Sequence, residues 1–400
     1  MVKNGTKNKR FSRADRVLAV LAIITIVAAW LFGYFKAESS LIPHFKKVIP
    51  QAGYFEQITG NVYSAKAGKN TGNILGYIAV ATGNGYGGTM KLAAAADSSG
   101  IITGFTIVEQ RETFSFLRRV LKSDLLKSLT GKSFSSSFKH GEDIEFVTGA
   151  TYTSKALVNS VKQAIRETSK VLGFSVPDEP PPKIKFGLPE IILILLYTAG
   201  FIGLRKKTGS VKIIRWSSML TGMLVLGFLY TIPLTLVFIN KMLMGFWPEW
   251  QTHLYWYMLI GGILFFFIIE GRNPYCEWFC PFGSVQECFG AVGGAKARRP
   301  EKYKDFLKWL QRGIALSAIV FALLYRNPGI SSYEVFGTMF MLVGSNYIFI
   351  LLGLVLVTSI FIKRPWCSYL CPLRPVTDFI RLLRNWVIEL WKSHHPEKAV

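Results

Sequence analysis

The stretch YWYMLIGGILFFFIIEGRNPYCEWFCP, residues 255–281, decides the fold. From Tyr255 to Ile269 it carries no charge, and it approaches the roughly 20 apolar residues that cross a bilayer. The run then ends in Glu270, Gly271 and Arg272, and a Cys-x-x-x-Cys-Pro motif follows. Similar apolar runs stand at Val17–Phe35, Ile191–Leu204, Met219–Ile239 and Tyr347–Ile362, and a shorter one at Ile314–Tyr325 is extended by Phe306 to Leu310. Six membrane helices are expected, at about 17–35, 188–204, 217–239, 254–270, 308–325 and 347–363.

Half of the 400 residues are apolar and the formal net charge is +23. A nucleic-acid binder would gather that charge into one basic surface. Here Lys and Arg cluster beside the apolar runs instead, so membrane orientation explains the excess and no nucleic-acid partner is expected. With a cytoplasmic N-terminus, the inside set is Lys7, Lys9, Arg10, Arg13 and Arg16, then Arg205-Lys206-Lys207 with Lys212 and Arg215, the cluster Lys296 to Arg312, and the tail from Lys363. The outside loops hold little beyond Lys241 and Arg326. The expected location is a bacterial inner membrane with both termini cytoplasmic. The first run has no small-residue cleavage site after it and reads as a retained signal anchor.

This topology sends residues 36–176 outside. Gly76–Val80, Gly87–Leu92 and Ile101–Val108 read as short antiparallel strands, with a turn at Asp97-Ser98-Ser99-Gly100. Helical patterns follow at about Thr113–Leu129 and Ser154–Leu172. The fold class is therefore an α+β extracytoplasmic domain joined to an all-α polytopic membrane domain. The divisions are 1–35 (basic arm and first span), 36–176 (outer domain), 177–187 (a Pro-rich linker with Pro177 and Pro180-Pro181-Pro182), 188–363 (five spans) and 364–400 (second motif and tail). In that tail, Val376, Phe379, Ile380, Leu383, Val387 and Leu390 recur at helical spacing. They suit an amphipathic helix on the inner membrane surface or one packed on the cytoplasmic loop.

Two segments repeat one another: Arg272-Asn273-Pro274-Tyr275-Cys276-Glu277-Trp278-Phe279-Cys280-Pro281, and Arg364-Pro365-Trp366-Cys367-Ser368-Tyr369-Leu370-Cys371-Pro372. Each lies just inside the cytoplasmic end of a span, where a reducing compartment disfavours disulfides. Soft thiolates there suit an iron–sulfur cluster or zinc. The CxxC steps of a bacterial ferredoxin run are absent, so neither half should ligate a four-cysteine cluster alone. Cys276, Cys280, Cys367 and Cys371 around one shared site is the preferred arrangement; two centres with non-cysteine ligands compete with it. Cys288 has no counterpart in the second half and reads as a buried thiol.

The outer domain contains Glu145-Phe146-Val147-Thr148-Gly149-Ala150-Thr151-Tyr152-Thr153-Ser154 at the start of a helical pattern, which taken alone is an ordinary N-cap. Thr148-Gly149-Ala150-Thr151 nevertheless resembles the (S/T)GAT signature of the FMN-binding domain family. In that family a dedicated flavin transferase esterifies the last threonine with the flavin phosphate. The resemblance implies covalent FMN at Thr151, beside Thr148, Gly149, Ala150 and Thr153, and it matches Glu112 and Thr113 to the family's ET segment. Glu145 stands where the signature has aspartate, and Phe114-Ser115-Phe116-Leu117 replaces a PGLG-like continuation.

From about residue 50 onward the chain resembles the membrane flavoproteins encoded with respiratory reductases. These are the nitrous-oxide-reductase accessory flavoprotein family and, since nothing after Cys371 supplies further clusters, its shorter reductive-dehalogenase-associated relatives. The resemblance implies an electron-transfer component of a respiratory chain, with a 4Fe–4S cluster expected ahead of a 2Fe–2S one. Its partners would be membrane lipid, the flavin transferase, the quinone pool or a cytoplasmic donor, and an extracytoplasmic reductase. About 30 Å of hydrocarbon separates the two faces, so a further carrier is needed. Quinone near Phe246, Trp247, Trp250, Tyr255 and Trp256 is the first candidate, although such residues also serve as interface anchors. A redox sensor and a zinc-stabilised structural subunit are the other function classes.

Overall fold

A computed structural model describes residues 13–36, 41–69, 73–85, 89–112, 114–176, 183–205, 210–296 and 303–394. Thr113, Pro177 with Pro180-Pro181-Pro182, Lys206-Lys207, Gly87-Gly88 and the basic arm before Arg13 lie outside the described residues.

Helix α1 (Arg13–Lys36) precedes a short α2 (Ile42–Val48). An antiparallel meander in the order β1-β2-β3-β4-β5 follows, made of β1 (Tyr54–Thr59), β2 (Val62–Lys66), β3 (Ile74–Asn84), β4 (Thr89–Ala96) and β5 (Ile102–Gln110). The turn at Asp97 joins β4 to β5: its carboxylate accepts the backbone N–H of Ser99 at 2.9 Å and of Ile101 at 3.0 Å. Successive side chains on a strand face opposite ways, and the sheet is covered on both sides. Ala93, Ala95, Ile78 and Val80 pack with Phe45 of α2. Ala79, Ala81 and Ala94 pack with Ala164 of α5 (Thr151–Val171). This double cover explains why β4 reads Leu92-Ala93-Ala94-Ala95-Ala96: small residues let a helix approach each face. At Gly83 a Cβ would lie 2.3 Å from the Ala156 carbonyl oxygen, so α5 rests directly on the β3 backbone there.

Between β5 and α5, the expected helix at 113–129 divides into α3 (Phe114–Leu121) and α4 (Leu125–Leu129). The break falls at Ser123, whose hydroxyl donates to the Val120 carbonyl oxygen at 2.7 Å and competes with helix continuation.

The remaining helices form a bundle: α6 (Leu188–Arg205), α7 (Ser210–Thr221) continued by a π-helical stretch Gly222–Leu229, α8 (Leu236–Leu243), α9 (Leu254–Glu270), α10 (Pro281–Val292), α11 (Lys304–Leu324), α12 (Phe336–Met341), α13 (Asn346–Phe361), α14 (Pro365–Tyr369) and α15 (Leu373–His394). Among the described residues four helices are long and apolar enough to cross a membrane: Ala14–Phe35, Leu188–Arg205, Val211–Leu229 and Asp305–Leu324. The apolar helices Leu254–Glu270 and Asn346–Phe361 are shorter.

The helix expected at 217–239 is not continuous. It breaks at Tyr230–Thr235, where Pro233 has no N–H for a helical bond and Thr231 takes φ +53°. A second irregular segment, residues 328–345, carries α12 and packs inward: Phe336 is buried against Phe282 and Trp366. Helix α15 lies across the end of α9. Arg381 donates to the Gly271 carbonyl oxygen at 3.1 Å and Arg384 to that of Ile268 at 3.0 Å, so cations complement the negative helix terminus.

The sheet domain sits on the broken segments. Val343 and Met341 belong to the same apolar cluster as Leu92, Leu157 and Val161. The guanidinium groups of Arg111 and Arg326 lie 4.4 Å and 5.4 Å from the Phe246 ring centroid, and Lys241 Nζ donates to the Gly85 carbonyl oxygen. Phe246 thus helps hold the two parts of the chain together.

Candidate cofactor sites

The two Cys-x-x-x-Cys turns have the same backbone closure. The N–H of Cys280 donates to the carbonyl of Tyr275 at 2.7 Å, and the N–H of Cys371 donates to that of Trp366 at 2.9 Å. Each bond spans five residues, the widened π-type step, and starts from the aromatic residue before the first cysteine. Pro281 and Pro372 follow, and Pro281 opens α10 at a position where a missing N–H costs nothing.

Both motifs follow the end of an apolar helix, α9 or α13, as expected. The chain after α9 turns back into the bundle, where the fully buried Tyr275 hydroxyl accepts the Leu234 N–H at 2.9 Å. The structure brings Cys276, Cys280, Cys367 and Cys371 together on one cavity of about 490 Å³, whose lining also includes Lys363, Arg364, Arg374 and Arg381. Cys288 is not in its lining. Burial pushes all four thiols up, Cys280 to about 11, and Cys371 is raised further by Cys367, Cys276 and Cys280. Loading with metal therefore has to displace protons.

Sequence reasoning missed the polar groups that orient these thiols. Asn273 Nδ2 donates to Cys276 Sγ and Gln286 Nε2 to Cys367 Sγ, both at 3.3 Å. Gln286 also accepts the Trp366 backbone N–H at 2.9 Å, tying the second motif to the helix that follows the first. Arg364 donates to the Cys276 carbonyl at 2.9 Å and pairs with Glu287 at 2.8 Å; Gln311 donates to the Cys371 carbonyl at 2.9 Å. Hydrogen bonds to cluster sulfurs are a protein's means of setting a reduction potential. The available signal was that Asn273 and Gln286 are amides next to apolar, cysteine-bearing segments.

No three His, Cys, Asp or Glu side chains among the described residues gather tightly enough to hold a single metal ion. A zinc tetrathiolate needs all four sulfurs about 2.3 Å from one centre. Thiols spread around a cavity of this size fit a multi-iron cluster better.

At the other site, Thr151 is the first residue of α5 and is exposed. The N-cap position belongs to Ala150, which has no capping side chain, so the bland explanation of this hydroxyl-rich turn is weak. Gly149 takes φ +77°, and a Cβ there would lie 2.3 Å from the Arg119 guanidinium, so only glycine suits the position. Arg119 itself donates to the Thr148 carbonyl at 3.1 Å. Thr153 Oγ1 donates to Glu112 Oε2 at 2.9 Å, both side chains buried, and this joins the helix start to the end of β5. Thr151 therefore stands at the N-terminus of a 21-residue helix, where the positive end of the dipole favours an anion.

Comparison with known proteins finds a domain model over each of these two regions. Residues 85–166 match the FMN-binding domain model, and residues 252–300 and 347–389 match the 4Fe-4S binding domain model. Protein NirI of Paracoccus denitrificans is 31% identical over 180 residues, which is 40% of this chain; the chain spans 25% of that relative's length. A component of the proton-translocating ferredoxin:NAD(+) oxidoreductase complex of Clostridium ljungdahlii is 29% identical over 139 residues, 32% of this chain and 70% of the relative. A component of the ion-translocating oxidoreductase complex of Photorhabdus laumondii is 30% identical over 154 residues, 32% of this chain and 73% of the relative.

These findings define a membrane electron-transfer flavoprotein with FMN-binding and 4Fe-4S domains. In its FMN-binding part, the chain belongs to the family of that ion-translocating oxidoreductase component.

Proposed function

We propose that the chain carries electrons between an iron–sulfur centre held by Cys276, Cys280, Cys367 and Cys371 and an FMN esterified to Thr151 by a flavin transferase, in service of an extracytoplasmic reductase. On this reading it acts like the nitrous-oxide-reductase accessory flavoproteins and their shorter dehalogenase-associated relatives. It crosses the inner membrane six times with both termini cytoplasmic and divides at the boundaries set out above. The convergence of four cysteines from two distant motifs on one cavity is the observation that carries the proposal.

Flavin exchanges electrons in pairs or singly and a cluster only singly, so together they convert between the two kinds of carrier. The protein's part is to hold and tune them. Asn273 and Gln286 direct N–H groups at sulfur, Gly149 opens the turn, and Glu112 fixes Thr153 so that α5 begins at Thr151. The broken helices support passage within one chain. Tyr333 and Phe336 stand 6.5 Å and 6.4 Å from Trp366, the neighbour of Cys367, and the FMN-binding part packs on the same segment. A quinol or a cytoplasmic carrier then serves as donor, and the aromatic rim need not house a bridging quinone.

The relatives drawn from ion-translocating complexes favour a second reading, in which the chain works as one part of such a larger assembly. Flavin fluorescence of the denatured band tests the first step. It should survive denaturation in the wild type co-expressed with a flavin transferase and vanish in Thr151→Val; absence from both would overturn covalent attachment.

A further inference from the structure

Where the sheet domain meets the broken helices there is a cavity of about 220 Å³. One wall is Phe114-Ser115-Phe116, the segment directly after Glu112 and Thr113; the other runs from Gly329 to Ile348. The neighbouring cavity at Tyr152 and Trp256 has only about 40 Å³. Pockets for whole drug-sized ligands run to roughly 300–1,000 Å³, so the larger cavity suits one fused ring system and not a whole nucleotide.

The cavity is also near the attachment point. A Cβ on Gly149 would lie 3.2 Å from Val343 in the cavity wall, and one on Gly329 would lie 2.8 Å from the Glu112 carbonyl oxygen. Its lining is mixed: Phe114, Phe116 and Val237 are apolar, whereas Thr235, Glu334 and Thr338 are polar.

We propose that this inter-domain cavity seats the isoalloxazine ring of the flavin on Thr151, dimethylbenzene edge among the phenylalanines and pyrimidine edge toward Thr235 and Glu334. The proposal rests on the attachment reading above and deepens it. Glu334 is buried, and both its oxygens accept the Leu236 N–H, at 2.8 and 3.0 Å. Burial pushes its carboxyl up to about 8, so at neutral pH it retains a proton and can donate to a ring carbonyl or nitrogen. The ring would then lie beside Tyr333 and Phe336, which lead toward Trp366 and the thiol cavity.

The test uses the full chain, co-expressed with a flavin transferase, in detergent. A Cβ on Gly337 meets only ordinary contacts at 3.9 Å, so Gly337→Leu should fill the cavity without disrupting the backbone. Ser115→Trp closes it from the other wall. Gly353→Leu, at a site with no atom within 4 Å, is the control. Wild type and control should show weak flavin emission that iodide hardly quenches. Gly337→Leu and Ser115→Trp should keep the flavin band on a denaturing gel and lose that protection, approaching free FMN. Iodide sensitivity equal to free FMN in the wild type, or protection unchanged in both cavity variants, overturns the proposal while leaving attachment intact. A missing gel band in the wild type overturns both.

Discussion

Replacing Gln286 by Met removes an N–H directed at Cys367 sulfur at 3.3 Å while keeping nearly the same side-chain volume. A hydrogen bond to a charged group is worth about 1.5–3 kcal/mol, and it is stronger to the more negative, reduced cluster. If the two oxidation states differ by about 1 kcal/mol of that, the midpoint potential falls by about 40 mV for a one-electron couple. The same substitution deprives the buried Trp366 N–H of its acceptor, which costs about 1–3 kcal/mol of stability. Gln311→Met separates the two effects, because Gln311 donates to a carbonyl oxygen and not to sulfur: it should lower stability without moving the potential. Redox titration followed by EPR reads the potential, and thermal melting reads the stability. An unchanged potential in Gln286→Met with the cluster retained would refute the tuning role.

Gly149→Ala forces a Cβ into a left-handed backbone position against Arg119; a loss of about 1–3 kcal/mol and reduced flavin loading should appear in melting curves and gel fluorescence. Burial opposes ionisation of Asp143, but hydrogen bonds from Ser137, Lys132, Lys139 and Phe138 hold its carboxyl well below the usual range. That stabilisation is present above the unfolded pKa of about 4 and is lost as pH falls through the folded value, so Asp143→Asn should flatten the domain's acid-induced loss of stability, measured by melting from pH 7 to pH 3. Phe246→Ala removes the ring between Arg111 and Arg326, each contact worth roughly 0.5–2 kcal/mol, and should speed proteolysis between the sheet domain and the bundle.

What the sequence disclosed were features set by local composition: uncharged apolar runs, two repeated thiol motifs, and a TGAT turn before a helical period. What it hid depends on long-range packing. The first two strands, Tyr54–Thr59 and Val62–Lys66, escaped notice because β1 is an edge with a largely exposed pattern and offers little alternation. The run from Met219 to Ile239 looked like one helix because hydropathy averages over Pro233 and does not register the break at Tyr230–Thr235. The contacts of Arg381 and Arg384 with the carbonyls ending α9 were hidden as well, because helical spacing shows a face of the tail and not what it meets. The anchoring of the first motif in the bundle follows from Tyr275 reaching Leu234, a contact between residues 41 apart that no spacing rule reports.

The central claim, one iron–sulfur centre shared by both motifs, is tested most directly by the EPR spectrum of the reduced protein in Cys276→Ser and Cys367→Ser. Each change alone should abolish the same signal while leaving flavin on the denatured band. A signal that survives either change, or that falls by half in each, would contradict a shared site.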